Sequence, residues 1–135
     1  MGMELIGAGL KTVLATAITD LQFYEPSELP DTVNPPCGVI LPGETVYDTD
    51  FAADGDYILR LVILVGRADL PSAISKILDY IDPSGTGTVV AAVKADKTLS
   101  ASCDTSKVLR NLGVGFTTWG GINYLSTEFQ IAVWA

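Results

Sequence analysis

Tyr57-Ile58-Leu59-Arg60-Leu61-Val62-Ile63-Leu64-Val65 is the stretch on which the reading of this chain turns. It is built of β-branched and large aliphatic residues, and Gly66-Arg67 follows it. In an extended chain Tyr57, Leu59, Leu61, Ile63 and Val65 point to one side, and Ile58, Arg60, Val62 and Leu64 to the other. Both sides are apolar apart from Arg60, which predicts a central strand covered on both faces. An unpaired buried charge is expensive, so Arg60 is expected to pair with an acid on a neighbouring strand or subunit. Arg67 is a second candidate for such pairing.

Working outward, Ile6, Leu10, Val13, Leu14, Ala17, Ile18 and Leu21 recur at helical spacing, which predicts an amphipathic helix from Glu4 to about Leu21. "EPSELPDTVNPP" follows, and its prolines make residues 22–36 an extended connection. "CGVILPGE" reads as a short strand ended by Pro42-Gly43, and residues 44–56 as a second extended, acidic connection. Beyond the central strand, a helix begins near Asp69-Leu70-Pro71. Its expected buried stripe is Leu70, Ile74, Ile77, Leu78 and Ile81, and Asp82-Pro83 stops it. Thr88 is placed to cap a short helix from Val89 to Ala95. Val108, Leu112, Val114 and Phe116 then share a strand face, with Arg110 as the exception. Gly120-Gly121 marks a hairpin turn. The last strand sets Leu125, Phe129, Ile131 and Val133 on one face.

The order is helix, strand, strand, helix, short helix, strand, strand. It predicts an α+β domain over residues 1–135: a mainly antiparallel four-stranded sheet with two main helices on one face. Helices on one face leave the second face of Tyr57–Val65 without a cover, and a neighbouring subunit is the simplest one.

Composition narrows the function. The chain of 135 residues is 48% hydrophobic with a net charge of −8. Sequence-specific nucleic-acid binding needs a basic face, and eight scattered Lys and Arg residues do not promise one. No apolar run approaches the roughly 20 residues of a membrane helix, and no secretory leader is recognisable, so a cytosolic product is expected. Cys37 and Cys103 are then expected as free, buried thiols. With no histidine anywhere, Ser-His-Asp and Cys-His sites are excluded.

Two stretches imitate sites. Gly7-Ala8-Gly9-Leu10-Lys11-Thr12 suggests a dinucleotide fingerprint or a P-loop. No strand precedes it, Thr12 stands where the third glycine belongs, and Leu10 separates Gly9 from Lys11. Gly7 and Gly9 are therefore read as close-packing positions, where a sheet or a subunit approaches the helix. The acidic stretch with Asp48, Asp50, Asp54 and Asp56 suggests a metal loop, but Phe51-Ala52-Ala53 breaks the ligand spacing. It is expected to present negative charge to a lumen or a partner. No cofactor, metal or catalytic residue is expected.

The whole-chain pattern resembles the small tail-terminator (tail-completion) proteins of long-tailed bacteriophages. Three stretches carry the resemblance: "LKTVLATAITDL" with the Pro-rich segment ending in "PPCGVILPGE", "YILRLVILVGRADLPSAISKILDYID", and "VGFTTWGGINYLSTEFQIAVWA". The resemblance implies a non-enzymatic virion protein, assembled in the host bacterial cytoplasm, that forms a ring, usually a hexamer. Its partners would be itself, the tail tube protein and the head-side connector, with DNA passing through the lumen unbound. A ring of acidic chains would repel DNA phosphates from that lumen. The nearest rival is another connector or stopper ring of the phage neck. From other classes come a small nucleotide- or phosphate-handling enzyme built on "GAGLKT" and a monomeric binding module.

Overall fold

A computed structural model of the chain describes residues 3–19, 21–24, 36–45, 57–67, 73–81 and 88–134. Its elements are α1 (Met3–Ala17), β1 (Gln22–Tyr24), β2 (Cys37–Thr45), β3 (Tyr57–Arg67), α2 (Ala73–Ile81), α3 (Val89–Ala95), β4 (Thr105–Trp119) and β5 (Ile122–Trp134). They form an α+β fold with one sheet in the order β1-β2-β3-β5-β4. The expected four-stranded antiparallel sheet is thus a mixed, five-stranded one. β2, β3, β5 and β4 pair antiparallel, and β1 adds to β2 in parallel.

β1 falls at the start of the segment read as an extended connection. Its reason for being a strand lies 15 residues on. Phe23 is in register with Gly38, and a side chain at position 38 would run into the Phe23 ring at 2.6 Å. Glycine leaves a slot on the sheet, and the buried ring fills it. Pro42, which donates no hydrogen bond, sits in β2 beyond the last β1 pair, Tyr24 and Val39.

β3 lies between β2 and β5, as its two apolar faces require. One face, with Leu59, Leu61, Ile63 and Val65, joins the main core. There it meets Ile6, Leu10 and Leu14 of α1, Ile77 and Tyr80 of α2, and Val89 and Val93 of α3. Phe129, Ile131 and Val133 of β5 complete this layer. Each fully buried Leu, Ile or Phe contributes about 1.5–3 kcal/mol, which makes this layer the main source of stability.

The second face is where the expectation of a subunit cover fails. Val62 and Leu64 are already buried by their own chain, in a cluster with Cys37, Val39 and Tyr124. Tyr24, Leu41 and Trp119 pack against that cluster. Trp119 arrives from the tip of the β4–β5 hairpin, where Gly120 and Gly121 both adopt positive φ, as a two-residue turn requires.

In α2 the expected stripe is shifted. Ile77 and Tyr80 are buried, whereas Leu78 is 54% exposed. β4 carries two irregularities, between Val108 and Arg110 and between Asn111 and Val114. The first flips the strand phase, so Val108 faces the helices opposite Ile131 while Arg110 sits opposite Gln130 on the other face. The second is held by Asn111, whose side-chain amide donates to Thr127 Oγ1 at 2.7 Å while its Oδ1 accepts from the Gly113 amide at 2.8 Å. Leu112 within it, and Val114 and Phe116 beyond it, are exposed.

Candidate functional site

α3 ends at Ala95, and the chain must reverse to enter β4 at Thr105. It does so through a left-handed turn in which Leu99, Ser100 and Ala101 all have φ between 50° and 63°. Each non-glycine residue held there costs roughly 1–2 kcal/mol. The neighbours over-determine the shape. Asp96 Oδ1 accepts from the Thr98 hydroxyl at 2.8 Å, and Asp96 Oδ2 from the Ser100 amide at 3.2 Å. The Ser102 hydroxyl donates to the Leu99 carbonyl at 2.7 Å, and Leu99 itself is fully buried. The Ser106 hydroxyl donates to the Lys97 carbonyl at 2.8 Å and ties the turn to β4.

This reversal leaves a cleft of about 400 Å³ between α3 and β4. Val90, Val93 and Val108 supply its apolar lining, and Lys94, Lys97, Lys107 and Ser106 its polar one. The lysines are exposed, and none forms an ion pair with a described acid. Three ammonium groups around an apolar floor make a surface suited to carboxylate-bearing or other anionic groups. The sequence does not point to it, because no glycine or asparagine in "KADKTLSASCDTSK" signals a left-handed backbone.

Gly9 belongs to the same region. A methyl group there would collide with the Leu99 carbonyl oxygen and the Ser102 hydroxyl. The group that approaches Gly9 is the left-handed turn of the same chain, not a sheet or a neighbouring subunit. Gly7 is buried within the helix. "GAGLKT" lies inside the continuous helix Met3–Ala17 and not at the mouth of a strand-to-helix loop. The Thr12 hydroxyl donates to the Ala8 carbonyl, one turn back.

Arg60 pairs with Glu128 across the β3–β5 junction. Its Nη2 donates to Oε1 at 2.7 Å and its Nε to Oε2 at 3.1 Å. This forked hydrogen bond raises the guanidinium pKa, against a smaller opposing pull from burial. Arg67 ends β3 opposite Tyr124. Asp48, Asp50, Asp54 and Asp56 lie outside the described residues.

No protein-family model matches this chain, and no curated protein does either.

Both cysteines are free and buried. Burial pushes the Cys37 thiol from its ordinary 9.0 up to about 11. Burial also raises the Cys103 thiol, with smaller contributions from Asp104 and Asp96. Its sulfur lies 3.4 Å from the Thr98 carbonyl, so it takes part in the turn. Among the described residues no group of Cys, Asp and Glu is placed to hold a metal ion, and no helix is long and apolar enough to cross a membrane.

Proposed function

We propose that this protein is a structural component of a phage tail, a ring that ends polymerisation of the tail tube and joins it to the head-side connector. The observation that carries the self-association in this reading is the β4–β5 hairpin. Leu112, Val114, Phe116 and Ile122 stand exposed on it, between 43% and 67% accessible. Clustered exposed apolar side chains on a sheet edge favour contact with another chain. The order of elements, and the resemblance of the three stretches quoted above, supply the tail context. On this reading the protein is non-enzymatic, and its acidic charge lets DNA slide through the ring without sticking.

Purified protein added to polymerising tail-tube protein tests the reading. A terminator shortens the tubes and is seen by negative-stain microscopy as a ring on one end. Tubes of unchanged length with no ring at their ends overturn it, and a ring that binds only the head-side connector marks a different neck component.

A further inference from the structure

The charge of this chain is unevenly placed. Thirteen of its sixteen acids precede residue 88, with four of its eight bases, so that part carries −9 and the remainder +1. Of the four bases beyond residue 88, Lys94, Lys97 and Lys107 line the cleft beside the left-handed turn, and Arg110 follows on β4. β4 is also the last strand of the sheet, 15 residues long, and no described strand pairs with its outer edge. Such an edge presents a row of backbone donors and acceptors, and natural proteins rarely leave one of this length uncovered. Further along the same strand come Leu112, Val114 and Phe116. One edge therefore offers positive charge, open backbone groups and apolar side chains in sequence.

We infer that the β4 edge, from the lysine cleft to Phe116, receives an acidic face of a second copy of this chain. The inference deepens the ring reading and rests on its self-association, though not on the tail context. The partner is specified by charge. A chain of net −8 repels its own kind except where its bases are gathered, and every copy carries the complementary net charge of −9 in its residues before 88. The contact is then heterologous, a basic edge against a different, acidic patch, and contacts of this kind close into rings or run on as filaments.

The test is the mass in solution of the full chain, by sedimentation, at low and high salt. The triple variant Lys94→Glu, Lys97→Glu, Lys107→Glu is expected to run as the 14.3 kDa monomer with an unchanged circular dichroism spectrum. The matching triple Lys→Arg variant should assemble like the parent, which separates charge from folding damage. Phe116→Ser should weaken assembly independently. The Lys→Glu chain still offers its acidic face, so a substoichiometric amount should bind parent chains and cut their assembly short. Three results overturn the inference: a Lys→Glu chain that assembles like the parent, a Lys→Glu chain that leaves parent assembly untouched, or a parent that is monomeric at every concentration. If the charge variants behave as expected but tube length never changes, the tail reading fails and this inference stands.

Discussion

An alanine at position 9 brings two opposing effects into one residue. It gains about 1 kcal/mol of helix propensity over glycine, and it drives a methyl group into the Leu99 carbonyl and the Ser102 hydroxyl. Overpacking of this kind costs about 1–3 kcal/mol, and the turn it strikes is already strained. Gly9→Ala should therefore lower stability by a net of up to ~2 kcal/mol, read from the urea midpoint. A raised midpoint would mean that the turn yields. Ala101 gives the opposite expectation. It is exposed at φ 63°, where glycine pays no steric cost, so Ala101→Gly should stabilise by roughly 1 kcal/mol and raise the melting temperature by a few degrees. Cys37 sets a pH limit. Its thiol ionises at 9.0 in the unfolded chain and at about 11 in the fold. Between those values the unfolded state holds fewer protons, so stability falls as pH rises and levels off above the upper value. Compared with Cys37→Ala, the parent should lose stability more steeply across that window. Parallel curves would show that Cys37 is not the group responsible.

Among the elements, the junction of β3 and β5 is the one where packing and charge meet. The Arg60–Glu128 fork spans adjacent antiparallel strands, with the arginine side chain 43% exposed. A pair this open to water is worth little: a double-mutant cycle with Arg60→Met and Glu128→Gln should give a coupling of about 0.5–1 kcal/mol, smaller at high salt. A coupling of several kcal/mol would mean that the pair is sealed from water. Elements set by local signals were legible in the sequence. Thr88 caps Val89–Ala95 by accepting the Ala91 amide, and Gly120-Gly121 turns the hairpin. The two-sided apolar pattern placed β3 at the centre. Elements set by distant partners were not legible. Gln22–Tyr24 is a strand because Gly38 leaves room for Phe23, and no pattern within three residues can say so. The two irregularities of β4 cancel in phase, so Val114 and Phe116 return to the face of Val108, opposite Thr127 and Leu125, and yet are exposed: a period of two shows which side chains share a face and not what covers them. The lysine cleft depends on a left-handed turn made by Leu, Ser and Ala, residues with no preference for positive φ.

For the molecule as a whole, the cover of β3 on both faces by its own chain moves the question of assembly from the middle of the sheet to its edge. The sheet is guarded unequally at its two sides. The β1 side is three residues long, beside a strand that carries Pro42, whereas the β4 side is long, basic and apolar. The order of the strands also bears on how fast the native state is reached. β5 sits between β3 and β4, and the pairing of Arg60 with Glu128 closes a span of 68 residues. The β4–β5 hairpin can zip on its own, but the central seam must wait for two distant parts of the chain to meet. Search time, rather than the strength of any contact, then governs the rate. Stopped-flow refolding should show a main phase in the range of about milliseconds to seconds, slower than helical proteins of similar size. Until that seam closes, both apolar faces of β3 are open to other molecules, so yield on refolding should fall as protein concentration rises.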